Sequence, residues 1–474
     1  MNFDGTVPQI KRPQIKNVIM MGDSLSDRGT IKKTMLLGCL PMAKFSGLEG
    51  RSPDGRFTNG LAWSDHVSAK IASDFTIRRL QKKWHLDDTD VSDAIIARER
   101  KVVDAIRGDY TLDNDKFVNY HGKLWVRSYC VGGVMAHDYG WNLTTNPIRF
   151  VTRIILSSLK DLRDKLNSYD RQHDISYKQK AETLVIEWSG PNDLVTVNEK
   201  PTLDGVDKAV AARIENARKL IGKGYRHIIL MNLPNLGLTP RFQNKNQHDR
   251  NEAQECSEYF NAQLKIACDE LTKDYPHCLV QAFDINAMFE TIYHNPERYL
   301  FDQDKLTVPY MTSQDFDDPS DGISKATGYM FYDDIHPSAD MHALLASHFY
   351  DQLNSIYELL EPDNKHCNIR KNNVSESELL HSFRKRYQGQ LVKDQHGFFG
   401  SKSDKFNYKD ADLEIILKHA FDEGGARALK VVTKLGWFDE EGTLVLQVPA
   451  LKSALEHVHP GATTRNNPLG SLVL

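Results

Sequence analysis

The chain is short of several things. Its 474 residues hold no apolar run near the roughly 20 residues that a membrane-spanning helix needs, and its longest, around 18–21 and 228–231, fall far below that. Cysteine is sparse: Cys39, Cys130, Cys256, Cys268, Cys278 and Cys367 are all there is, and no two form a CxxC pair. This spacing speaks against zinc and against a redox dithiol, and buried free thiols are the expectation. Excess charge is also missing. A formal net charge of -4 offers no grip on a polyanion, so nucleic acid is not an expected partner. Basic stretches such as Arg384-Lys385-Arg386 read as solvated helix faces. Residues 1–16 are polar, contain Pro8 and Pro13, and lack the apolar centre of a secretory signal. The chain is therefore expected to be cytoplasmic as synthesised, with any export using a route that reads no N-terminal signal.

What is present is the composition of a globular protein, 40% hydrophobic and 26% charged. The length exceeds what one core usually organises, which predicts a large domain and a smaller one. Five short, nearly continuous apolar runs, 18–21, 125–131, 183–188, 227–233 and 278–283, read as strands buried on both faces. Helical patterns lie between them. In 251–273, Cys256, Phe260, Leu264, Ala267 and Leu271 recur at spacings of three and four, and Met341, Leu345, Phe349, Leu353, Ile356 and Leu360 do so in 339–360. This alternation predicts an α/β sheet covered on both faces. A charged insertion at about 76–121, with one helix over 93–107, interrupts it. So does a long loop at 299–328. Composition breaks at 361–365. A capping box at Ser375-Glu376-Ser377-Glu378 and a helical stretch at 411–435, separated by a loop at 397–407, predict a small, mainly helical C-terminal domain over 362–474, after a domain of 1–361.

Four polar signals stand where predicted strands end or helices begin: Gly22-Asp23-Ser24-Leu25, Gly132-Gly133, Gly190-Pro191-Asn192-Asp193 and Asp333-Asp334-Ile335-His336-Pro337. Each has a bland reading alone, as a helix cap, a turn, an Asx turn or a surface histidine. Jointly they supply serine-based acyl transfer. Ser24 would be the nucleophile, at the carboxyl edge of the sheet where open α/β folds bind ligands. His336 would be the base. Asp333, three residues earlier, would fix its tautomer and stabilise the imidazolium, with Asp334 as an alternative orienter. The backbone N–H groups of Ser24 and Gly133 and the Asn192 amide would form the oxyanion hole. No GxSxG elbow is present, since residue 26 is serine, which argues against the α/β-hydrolase fold proper. No metal or organic cofactor is required.

The ordered set Ser24, Gly133, Asn192, His336 resembles the GDSL, or SGNH, hydrolase superfamily. Residues 22–27 are similar to its first block and Tyr129-Cys130-Val131-Gly132-Gly133 to its second. Gly190-Pro191-Asn192-Asp193 is similar to the third, and Asp333-x-x-His336-Pro337 to the fifth. Gly55-Arg56-Phe57-Thr58-Asn59-Gly60 with Trp63, Leu233 to Pro240, and Asp284-Ile285-Asn286-Ala287 resemble a lipase-like subgroup. That subgroup includes bacterial lysophospholipases and glycerophospholipid–cholesterol acyltransferases. The resemblance covers about 16–355. It departs at Ser128 and Cys130, where the second block usually has Asn and Ala, and at the charged insertion. It implies a three-layer α/β/α sandwich around a mainly parallel five-stranded sheet, flavodoxin-like, and an acyl-enzyme route to lipid ester hydrolysis (lysophospholipase or phospholipase A) or acyltransfer. Two alternatives remain: a deacetylase of carbohydrate or small esters, and a binding protein with a relic site. The C-terminal domain would serve a membrane surface or a protein partner. A lipase-like domain with no visible leader and an unfamiliar appendix also fits an effector delivered into a host cell by a specialised secretion system.

Overall fold

The computed structural model describes residues 12–36, 40–42, 48, 52–140, 152–153, 155–198, 200–317 and 323–362, together with the backbone of 391–393 and 404–406. The chain divides into two compact units, Met1–Cys367 and Asn368–Leu474.

The first unit is built on one sheet. Its strands are β1 (Asn17–Gly22), β2 (Tyr110–Thr111), β3 (Phe117–Tyr120), β4 (Lys123–Ser128), β5 (Thr183–Trp188), β6 (His227–Met231) and β7 (Leu279–Phe283). Their spatial order is β7-β6-β5-β1-β4-β3-β2. The first five in that order pair in parallel, and they are the five apolar runs of the sequence. The expected five-stranded sheet is corrected to seven, because the charged insertion ends in a hairpin that adds β3 and β2 antiparallel at the edge. Its turn, His121-Gly122, has φ of 50° and 72°. Positive φ at both central residues matches the twist of paired strands.

Among the helices are α1 (Trp63–Trp84), α2 (Asp88–Ile96), α3 (Arg100–Gly108), α4 (Leu159–Gln172), α5 (Pro191–Val195), α6 (Leu203–Gly222), α7 (Gln247–Asp274), α8 (Ile285–His294) and α9 (Ala339–Ile356), with shorter ones left unlabelled. Successive strand residues face opposite ways, so β1, β5, β6 and β7 each feed two cores. Val18 and Met20 of β1 join Trp63, Phe75, Phe289, Phe349 and Leu353 on the side of α1, α8 and α9. Ile19 and Met21 join Leu162, Val206, Phe260 and Leu264 on the side of α4, α6 and α7. The result is the three-layer sandwich. Cys130, Cys256, Cys268 and Cys278 are buried and free.

Two local expectations are corrected. The single helix over 93–107 is two helices, broken where Arg98 takes a φ of 55°. These pack their own small core, Leu80, Ala94 and Val102. The helix expected to run to residue 360 stops at Ile356, and Glu358–Leu359 then pairs in parallel with Gln14–Ile15. In the second unit Leu391–Lys393 and Asp404–Phe406 form an antiparallel pair, the latter within the stretch expected to be loop. The helices expected at 375–387 and 411–435 lie outside the described residues. Among the described residues no helix is long and apolar enough to cross a membrane.

Candidate active site

The site lies at the carboxyl ends of β1, β4 and β5. Gly22 closes β1 and the chain turns sharply through Asp23, Ser24 and Leu25. Asp23 Oδ1 accepts the Leu25 N–H at 3.0 Å and fixes this turn. Ser24 Oγ stands 2.7 Å from His336 Nε2. His336 Nδ1 stands 2.7 Å from Asp333 Oδ2. Asp333 Oδ1 accepts the N–H groups of Ile335 and His336 at 2.9 and 2.7 Å, so one carboxylate shapes the turn and holds the ring. Burial alone would raise the Asp333 pKa, but the imidazole and these N–H groups more than offset it, and it lies below the usual carboxylate value. Asp334, the alternative orienter, is engaged elsewhere: both its oxygens bind the Arg241 guanidinium at 2.8 Å. Phe57, from the Gly-Arg-Phe-Thr-Asn-Gly stretch, covers the imidazole with ring centroids 4.9 Å apart.

Gly133 and Asn192, expected with Ser24 to supply the oxyanion donors, lie beyond the carboxyl ends of β4 and β5. Gly133 has φ of 81°, and a Cβ there would come within 2.7 Å of Leu156. Only glycine takes that conformation without penalty. Neither its N–H nor that of Ser24 meets a protein acceptor among the described residues. Gly190, with φ of 125°, swings the chain from β5 into α5, and Pro191 opens the helix. Asn192 follows and is 8% exposed. Its Nδ2 donates to Val134 O at 3.0 Å, and its Oδ1 accepts from the Thr196 hydroxyl at 2.7 Å. The amide's orientation is thereby fixed, and its second N–H is left for a substrate.

Two buried carboxylates that the sequence marked with no role hold the loop between these groups. Asp27 accepts the N–H groups of Gly29, Thr30 and Ile31, and that of Gly132 at 2.7 Å. Asp193 accepts those of Ala136 and His137 at 2.7 and 2.9 Å. Burial raises the pKa of Asp27 to about 6 and of Asp193 to about 7, against the opposing pull of those N–H groups. Burial also raises Asp23 to about 7. Arg56, from the Gly55–Gly60 stretch, is paired in the interior: Asp65 binds Arg28 at 2.7 Å and Arg56 at 2.8 Å. Asn59 ties residue 324 to the start of α9. Among the described residues no cluster of three or more His, Cys, Asp or Glu side chains is placed to hold a metal.

The arrangement offers a hydroxyl beside an imidazole, a carboxylate behind it, and, among the described residues, N–H groups at Ser24 and Gly133 with no protein acceptor. Residues 18–349 match the family model of the GDSL-like lipase/acylhydrolases. Relatives include the secreted effector protein SseJ of Salmonella typhimurium, 26% identical over 39% of this chain; the match spans 43% of that protein. The phosphatidylcholine-sterol acyltransferase of Aeromonas hydrophila is 22% identical over 74% of this chain and 93% of its own length. The anther-specific proline-rich protein APG of Brassica napus is 23% identical over 70% of each. The chain belongs to the GDSL-like lipase/acylhydrolase family of serine ester hydrolases.

Proposed function

We propose that the chain cleaves acyl esters of lipids through an acyl-enzyme on Ser24. The observation that carries this is the unbroken line from Ser24 through His336 to Asp333, with 2.7 Å at each step. His336 takes the hydroxyl proton as Ser24 attacks the ester carbonyl. The N–H groups of Ser24, Gly133 and Asn192 meet the developing oxyanion. His336 then returns the proton to the leaving alcohol, and water or a second alcohol releases the acyl group. Release by water makes a lysophospholipase or phospholipase A, and release by alcohol makes an acyltransferase. A lipid acyl group, in preference to acetyl, is proposed from the apolar side chains that flank the line. Phe57 lies against His336, Leu156 lies against Gly133, and both belong to a cluster with Ile31, Tyr310 and Tyr332.

Ser24→Ala tests the mechanism. It is expected to lower hydrolysis of p-nitrophenyl esters by about 10⁴-fold or more with an unchanged unfolding midpoint. Full activity in that variant rules the mechanism out. Rates across acetyl to palmitoyl esters test the substrate class, and a maximum at acetyl would favour the deacetylase instead. The second unit is proposed as a binding module for a membrane surface or protein partner. Removing Asn368–Leu474 should then leave soluble-ester hydrolysis intact and abolish that binding. Delivery into a host cell is proposed on the name of the Salmonella relative. Detecting the protein solely inside the producing cell during infection would count against it.

A further inference from the structure

We infer that Arg241 is a positioning residue for the acid–base pair, holding Asp334 away from His336 and pinning the turn that carries Asp333. This rests on the proposed role of His336. The turn bears two adjacent carboxylates within three residues of one imidazole, and only one of them faces it. The other is taken by a guanidinium from 93 residues earlier in the chain: Arg241 Nε and one terminal nitrogen each reach Asp334 at 2.8 Å. The Arg241 backbone N–H adds a third bond, to Asp334 O, also at 2.8 Å. Two parallel N–H···O bonds fix a carboxylate in direction as well as position, which an ammonium cannot do.

The clamp has a firm base. Arg241 follows Pro240 in the short helix Pro240–Gln243, whose Phe242 is buried. The Thr239 hydroxyl donates to Leu236 O at 2.7 Å, and the Leu236 N–H donates to the Ser257 hydroxyl of α7 at 3.0 Å. The catalytic turn is tied to itself by Tyr332 N–H to His336 O at 2.8 Å, so Arg241 joins a closed turn to the core through α7. The two side chains are 30% and 48% exposed. A pair so open to water adds little to stability, so its use lies in placement and charge. Arg241 also feels Asp333 electrostatically. Among the described residues, Asp23 and His342 on α9 also feel His336 electrostatically.

The test is the pH profile of kcat/KM for the full chain, in wild type, Arg241→Met, Asp334→Asn and the double variant. Arg241→Met leaves the Asp334 carboxylate without its counter-charge on the turn that carries His336, so the acid limb should move up. Its kcat should fall roughly ten-fold at unchanged KM. Asp334→Asn leaves a bare guanidinium, so the limb should move down. The double variant should restore it. Arg241→Lys keeps charge without the fork, so it should keep the wild-type limb at reduced kcat; it also stands in if Arg241→Met fails to fold. Limbs that coincide in all variants, or that move in the same direction in both single variants, overturn the inference. Activity surviving Ser24→Ala would overturn the proposed function instead, which separates the two failures.

Discussion

His336 stands on a turn fixed by carboxylate–imidazole and carboxylate–guanidinium pairs within reach of water. Gly133 stands on a loop fixed by two fully buried carboxylates, Asp27 and Asp193, that accept backbone N–H groups. The first half presents charged side chains whose protonation is part of the proposed chemistry. The second presents peptide dipoles, and its charges are hidden beneath them to aim them. Charge near the imidazole should therefore tune the pH profile, whereas charge beneath the loop should set barrier height and the pH dependence of folding.

The sharpest break in the second half is Gly133→Ala. The residue would be strained at φ of 81° and its methyl would press on Leu156, which displaces the N–H from the oxyanion. Loss of one such donor costs about 3–4 kcal/mol of barrier. We expect kcat to fall by roughly 10²–10³-fold with KM little changed, read by steady-state kinetics. A fall confined to KM would mean that Gly133 lines the substrate channel and is no oxyanion donor.

Next in size is the pH dependence of stability that the buried carboxylates impose. Asp23 has its pKa raised by burial from 3.8 to about 7, and one of its oxygens has no hydrogen-bond partner among the described residues. A raised folded-state pKa means that the native protein holds the proton more tightly than the unfolded chain. The resulting stability is full below about pH 4 and is lost as pH climbs through about 7. Asp23→Asn removes this titration. Relative to wild type it should therefore gain roughly 2–3 kcal/mol between about pH 5 and about pH 8, measured by urea unfolding at each pH. A difference that does not change with pH would mean that Asp23 is ionised throughout.

Asp27→Asn probes the aiming function more gently. The amide is nearly isosteric, but its NH₂ replaces either Oδ2, which accepts from both Gly132 and Ile31, or Oδ1, which accepts from Gly29 and Thr30. We expect a kcat loss of about 10–100-fold, counted per active site titrated with a fluorophosphonate. That normalisation separates misplacement from misfolding. An undiminished rate per titrated site would leave Asp27 a purely structural residue.

The same contrast explains what could be read from the chain beforehand. Ser24, His336 and Asp333 are side-chain chemistry, and the types and their order at strand ends are visible in one dimension. The five parallel strands are visible too, because burial on both faces leaves unbroken apolar runs. Asp27 stood inside a quoted motif without a role, since its bond to Gly132 crosses 105 residues and nothing local signals it. Arg241 was likewise hidden, and Asp334 remained open as a rival orienter until its guanidinium partner was located. The edge hairpin was missed because β2 and β3 are short, half-exposed strands in charged sequence. Its one local signal was the turn pair His121-Gly122. The break at Arg98 has no glycine or proline to announce it.

Thr196→Val should give the smallest effect, and it bears on Asn192, the side chain among the proposed oxyanion donors. The Thr196 hydroxyl donates to Asn192 Oδ1 at 2.7 Å, while Val134 O accepts from Nδ2 at 3.0 Å. Both contacts fix the same amide orientation, because a carbonyl can face only the nitrogen and a donated hydroxyl only the oxygen. Removing the hydroxyl leaves one of the two restraints in place. The amide should then keep its orientation with more angular freedom, and kcat should fall by only about 2–5-fold, in keeping with one neutral hydrogen bond. If Thr196→Val instead matches the loss in Asn192→Ala, the hydroxyl alone sets the amide. The oxyanion half would then lean on side-chain chemistry as heavily as the half that carries His336.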